Sequence, residues 1–249
     1  NKMTTDVQEI VQDPEIDVII ELTGSVDDMI DPIKEALSTK KHLVTANKAM
    51  VSAYLRELTD LAKENDVAFL YEAAVGGAIP ILKTLKHIAI TNEISAIEGV
   101  LNGTCNFILS KMEEGMEYSA ALSEAQELGF AEADPSADVE GYDTMRKIHI
   151  LANIGFKKNI SVDNIYREGI TNLKHEDLQE AENKNQCIKL IAKATQQNDH
   201  ITISVQPTPV AANSVPGGLK DGENATIVHG SNSGPLISTG FGAGGPPTA

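Results

Sequence analysis

One short run most narrows the folds open to this chain: Ile16-Asp-Val-Ile-Ile-Glu-Leu22, followed at once by Thr23-Gly24-Ser25. A β-branched run of that length suits a strand buried on both faces of a parallel sheet. The turn opens a helical pattern over residues 26–38. Asp27 and Asp28 fall in its first turn, where the helix dipole favours acids. The alternation then repeats. Residues 42–45 predict a second strand, 54–65 a second helix and 67–71 a third strand. Residues 1–72 therefore read as βαβ units that build a parallel sheet.

Beyond residue 72 the alternation loosens. Residues 81–90 predict a helix and 95–101 a strand, and Asn102-Gly103-Thr104 offers caps for a helix through Lys111. A helix over 118–128 stops at Gly129, a residue suited to the left-handed backbone of a helix end. The charged stretch from about residue 176 to 194 predicts another helix, 201–205 a half-buried strand and 206–225 a loop. Residues 225–229 and 236–239 predict two further strands.

With 249 residues and 41% hydrophobic content, the chain can build one large core or two modest ones. Its net charge of −16 disfavours nucleic acid and anionic membrane as partners, since both are polyanions. No apolar run approaches the ~20 residues of a membrane span, and no secretory signal pattern is visible. The cysteines, Cys105 and Cys187, lie far apart without metal-ligand spacing. They suggest a reducing compartment, such as the cytoplasm, and no disulfide framework.

The stretch Gly129–Lys147 concentrates the candidate chemistry. It holds Glu132, Asp134, Asp138, Glu140 and Asp143, with Arg146 and Lys147 at its far end. A helical pattern over 144–153 puts Asp143 and Lys147 on one helix face at i and i+4. Pro135 and Gly141 fix the loop that enters it. Spacing leaves two readings open. One is a surface ion pair worth a few tenths of a kcal/mol. The other is a carboxylate and an ammonium held rigidly for proton transfer, with Glu132 on the loop in front. Lys48, in Thr45-Ala-Asn-Lys48 after the second strand, is either a solvated loop lysine or a cation at a ligand crevice. Glu72-Ala-Ala-Val-Gly-Gly-Ala-Ile-Pro80 reads as a hinge, or as a turn whose carboxylate and carbonyls suit a hard cation. Cys105 lacks an adjacent base, so it is a packing residue rather than a nucleophile. The glycine-rich residues 240–249 lack the spacing of a phosphate loop.

Leu128-Gly-Phe-Ala-Glu-Ala-Asp-Pro135, Asp138, Gly141-Tyr-Asp143 and Arg146-Lys147 together resemble the signature of the homoserine dehydrogenase family. Ala46-Asn-Lys48, Glu72–Pro80, Gly99-Val-Leu-Asn-Gly-Thr-Cys-Asn106 and residues 240–249 match further family blocks in family order. The resemblance implies an α/β fold with a partial Rossmann-like parallel sheet over 1–72. An α+β catalytic and dimerisation domain with a mixed sheet would span 73–239, and 240–249 would return to the nucleotide-binding domain. No G-x-G-x-x-G stands near the start, so the first strand, the glycine loop and the ribose-reading strand are expected to be missing from this stretch.

The implied activity is the NAD(P)-dependent interconversion of L-aspartate 4-semialdehyde and L-homoserine. The implied catalytic group is Lys147 with Asp143 and Lys48, and Glu132 and Asp143 would bind substrate. Thr23, Lys48, Gly129 and Gly244 would bind NAD or NADP. Glu72, Val75, Gly77 and Ile79 would hold a monovalent cation, usually sodium. A homodimer through the middle sheet is expected. Two competitors stay open: a related oxidoreductase with another substrate, and a non-catalytic ligand-binding module.

Overall fold

The computed structural model describes residues 3–242. The chain divides into two compact units that part between Ala74 and Val75.

In the first unit the elements run α1 (Val7–Gln12), β1 (Val18–Glu21), α2 (Ile30–Ser38), β2 (His42–Thr45), α3 (Lys48–Glu64) and β3 (Phe69–Leu70). The strands form a parallel sheet in the order β1-β2-β3. Ile19 and Leu43 from the sheet meet Ile33, Leu37, Met50 and Leu58 from the helices in one core. The second strand has the bounds expected from the sequence, whereas β1 and β3 are shorter. The helix after β2 begins at Lys48 rather than residue 54. Asn47 caps it by accepting the Met50 N–H at 3.1 Å, and Tyr54 leaves helical geometry (φ −123°). The kink explains why the sequence shows only the second half as a periodic helix. Lys48 is accordingly a first-turn helical residue, not a loop residue.

Glu21 ties the ends of β1 and β2 together. Its carboxylate, 2% exposed, accepts the Thr23 N–H (2.8 Å), the Thr23 hydroxyl (2.7 Å) and the Thr45 hydroxyl (2.6 Å). Burial pushes its pKa up, but the hydrogen bonds from Thr45, Thr23 and Asn47 outweigh burial and hold it below the ordinary carboxylate value.

The second unit holds α4 (Ile81–Thr91), β4 (Ile94–Val100), α5 (Gly103–Glu113), α6 (Tyr118–Glu127), α7 (Ser136–Val139), α8 (Tyr142–Phe156), β5 (Ile165–Arg167), α9 (His175–Asn183), β6 (Gln186–Gln197), β7 (His200–Ala211), α10 (Val215–Gly218), β8 (Glu223–Gly230) and β9 (Gly234–Phe241). Its six-stranded sheet runs β5-β7-β6-β4-β8-β9. β5 and β7 pair in parallel and the other neighbours are antiparallel. α8 packs on β4 and β6.

Two expectations fail here. The helix expected over about 176–194 ends at Asn183, and residues 186–197 are strand β6. Asn185 turns the chain with a left-handed backbone (φ 56°), after which residues 188–192 are buried without a break. That is the pattern of a central strand, and Lys189 and Lys193 disguise it. The loop expected over 206–225 is largely β7, α10 and the start of β8. Pro207 and Pro209 are tolerated inside β7 because of the sheet edge. The Val205 carbonyl accepts the Glu168 N–H, so backbone groups of residues 205, 207 and 209 point away from β6. Past Val205 no described strand lies on that side, so no ladder bond is lost.

Replacing Glu21 by Gln is expected to destabilise the protein by about 1–3 kcal/mol at pH 7. A depressed folded pKa gives stability that is complete above the unfolded value, ~4.3, and is lost as pH falls through the folded value. Urea denaturation from pH 7 to 3 should therefore show the deficit shrinking as the medium becomes acidic.

Candidate active site

Three elements of the second unit converge on Lys147. Gly141 enters α8 with φ 83°, a left-handed conformation that costs glycine little. One turn on, Asp143 and Lys147 project from the same face. The Lys147 Nζ donates to Asp143 Oδ2 at 2.6 Å and to the Leu101 carbonyl, just past the end of β4, at 2.7 Å. The two residues are only 5% and 7% exposed. The surface reading of this pair is thereby excluded. Two of the three ammonium donors are taken, and the third has no partner among the described residues.

Asn102 completes the cluster from the β4–α5 junction. Its Oδ1 caps α5 by accepting the Cys105 N–H at 2.8 Å. Its Nδ2 donates to Asp138 Oδ1 at 2.6 Å and to Asp143 Oδ2 at 2.9 Å. Cys105 is fully buried, and its thiol donates to the Asp138 carbonyl at 3.2 Å. Burial pushes the thiol pKa well up, the Asp138 and Asp143 charges add to that, and Lys147 opposes it weakly. Cys105 is therefore a packed thiol, not a nucleophile.

The other candidate residues are placed as follows. Glu132 is exposed on the turn after Gly129. Its backbone carbonyl accepts from Gln126 at 3.1 Å, and its carboxylate bonds to no described residue. Asp134 organises that turn by accepting the Ser136 N–H at 3.1 Å. The Ser136 side chain and N–H hold its carboxyl below the ordinary value. Gly129 ends α6 with φ 79°. In the first unit, Thr23 is bound to Glu21, and Lys48 is half-buried at the start of α3. Glu72 opens a short 3-10 turn, Glu72–Ala74. Gly76 and Gly77 follow with φ 79° and 55°. The Gly77 turn is backed by the Gly242 backbone so closely that a Cβ at Gly77 would lie 2.5 Å from the Gly242 carbonyl. Gly244 lies outside the described residues.

The family resemblance puts the block Gly99–Asn106 near substrate and nicotinamide, but it does not reveal the bonds that Leu101 and Asn102 make. Residue pattern alone marks Asn102 as a cap, because its other partners lie 36 and 41 residues further on. Among the described residues no group of three or more His, Cys, Asp and Glu side chains is arranged to hold a metal.

A parallel α/β unit, followed by an α+β unit with a buried lysine–aspartate pair, defines the class: a two-unit α/β protein. Comparison with known proteins narrows this. Residues 80–249 match the family model described as homoserine dehydrogenase, and residues 1–72 match the one described as homoserine dehydrogenase, NAD binding domain. The chain belongs to the homoserine dehydrogenase family. It is 41% identical over 248 residues to homoserine dehydrogenase of Bacillus subtilis, covering 99% of this chain and 57% of that protein. The crystal structure of a homoserine dehydrogenase from Thiobacillus denitrificans superposes with a TM-score of 0.94 at 39% identity, covering 98% of this chain and 57% of the other. A hyperthermophilic archaeal homoserine dehydrogenase in complex with NADPH superposes with a TM-score of 0.86 at 28% identity, covering 100% and 72%. The chain thus spans somewhat over half the length of the curated relatives it matches.

Removing one partner of a buried pair strands the other charge. Asp143→Ala is expected to cost about 3–5 kcal/mol, and Asp143→Ala with Lys147→Met less than the sum of the single changes. A double-mutant cycle in urea measures both.

Proposed function

We propose that the protein containing this chain catalyses the NAD(P)H-dependent reduction of L-aspartate 4-semialdehyde to L-homoserine, and the reverse. The observation that carries this reading is the buried Lys147 ammonium, held at two points, with its third donor left without a partner among the described residues. When bound, the dihydronicotinamide supplies the hydride. Negative charge then grows on the aldehyde oxygen, where a fixed cation lowers the barrier. Lys147 donates its proton to that oxygen from Nζ. Asp143 and the Leu101 carbonyl hold Nζ in place, and Asp143 also contacts substrate. Glu132, exposed and with no side-chain partner among the described residues, takes the substrate ammonium, a charge-assisted contact that selects an amino acid. Lys48 is proposed as a further cation for the reaction.

Thr23, Lys48, Gly129 and Gly244 form the proposed NAD(P) contacts. A parallel sheet whose first two strand ends are tied by Glu21 suits them, because ligands of such sheets bind at the strand C-termini. NADPH in the archaeal relative supports the same cofactor class. A sodium ion is proposed at the Val75, Gly77 and Ile79 carbonyls with the Glu72 carboxylate. The carbonyls of Val75 and Gly77 accept no backbone hydrogen bond from a described residue, which suits an oxygen-seeking cation. A homodimer through the mixed sheet would cover apolar side chains exposed on its outer strands, among them Tyr166, Ile237 and Phe241. The cytoplasm is the proposed location, and free Cys105 and Cys187 agree with a reducing compartment. No described helix is long and apolar enough to cross a membrane.

Steady-state kinetics of the full-length protein test the assignment. Lys147→Ala should lower kcat by about 10²–10⁴-fold with KM little changed. Glu132→Leu should mainly raise the KM for the amino-acid substrate. A Lys147→Ala protein with near-parental kcat would overturn the reading.

A further inference from the structure

Residue pattern marks Asn102 as a helix cap, yet no other described residue ties together as many parts of the Lys147 cluster. Its side chain is fully committed. Oδ1 takes the Cys105 N–H, and the single nitrogen Nδ2 serves both Asp138 and Asp143. The amide has one possible orientation. Flipped, it would set its oxygen against two carboxylates and its NH₂ against the Cys105 N–H. The residue is 4% exposed, so water does not compete for these bonds.

Two carboxylates gathered on one atom repel each other, and ordinarily one of them would take up a proton. A shared donor offsets that repulsion. The oxygen that Asn102 holds on Asp143 is Oδ2, the same atom that receives Lys147. Fixing this atom therefore fixes where the ammonium sits. The charged or titratable groups tied to Lys147 are Asp143 on its own helix, Asp138 on α7 through Asn102, and the Cys105 thiol on α5.

We propose that Asn102 is a positioning residue for proton transfer by Lys147. It keeps Asp138 and Asp143 ionised side by side and aims the Asp143 carboxylate at the lysine. The proposal rests on the reading of Lys147 as the proton donor.

The test uses full-length protein, purified as parent, Asn102→Asp, Asn102→Ser and Lys147→Ala. Homoserine oxidation is followed across pH, with urea melts in parallel. Asn102→Asp keeps a cap oxygen but sets a new anion beside two others. It should lose at least about tenfold in kcat, and its rise of rate with pH should move to higher pH by about one unit, because added negative charge favours the ammonium. Asn102→Ser retains a good cap residue. It should lose kcat beyond any loss of folded fraction, with the KM for cofactor within about twofold and no upward move of the profile. If Asn102→Asp does not fold, the serine variant decides by kcat alone. Parental kcat and pH profile in the folded variants, while Lys147→Ala is inactive, would overturn this proposal and leave the functional reading standing. Losses that only track the folded fraction, with an unmoved pH profile, would also overturn it and reduce Asn102 to a cap. Near-parental activity in Lys147→Ala would overturn both.

Discussion

Removing a lysine ammonium from water costs several kcal/mol unless the protein replaces the lost hydration. Lys147 is buried, and its replacement partners are one carboxylate oxygen and one backbone carbonyl. The local architecture follows from meeting that demand. The Leu101 carbonyl is available because β4 ends at Val100 and the chain turns into α5. Asp143 is in reach because Gly141 starts α8 in a left-handed conformation one turn earlier. Asn102 adds a second donor to the same Asp143 oxygen and connects it to Asp138. An apolar pair of the same volume would serve stability as well or better.

The first unit uses the same device at a smaller scale. Glu21, at the end of β1, gathers donors from Thr23 and Thr45. Asn47 continues the chain of bonds, with its N–H to the Thr45 hydroxyl and its amide to the Ser25 carbonyl. Both strand-end loops are thereby set without a large core beneath them. In each unit a buried carboxylate gathers donors beside the end of a strand: Glu21 on β1, and Asp143 of α8 beside the Leu101 and Asn102 that follow β4. Neither arrangement depends on the surrounding net charge of −16, since both are satisfied locally.

Much of this was legible in the sequence where local pattern and burial agree. β2, the start of α4 and the stop of α6 at Gly129 follow from β-branched runs, apolar periodicity and glycine. The i and i+4 spacing of Asp143 and Lys147 gave their common face but not their burial, which depends on β4 and β6 packing against α8. Strand β6 was read as helix because Lys189 and Lys193 break its apolar run. Lys189 is in fact wholly buried, bonded to the Leu219 carbonyl and paired with Glu113 from α5. Partners so distant in sequence leave no local trace. The same holds for Asn102, whose neighbours Cys105 and Thr104 announce only a helix start.

The most direct test of the central claim is the solvent exchange of the Lys147 ammonium, observed by NMR on protein carrying isotope-labelled lysine and assigned by its loss in Lys147→Met. A caged ammonium predicts a signal that exchanges far more slowly than those of exposed lysines at neutral pH and that broadens away in Asp143→Asn. A Lys147 signal that exchanges like a surface lysine and ignores Asp143→Asn would contradict the account.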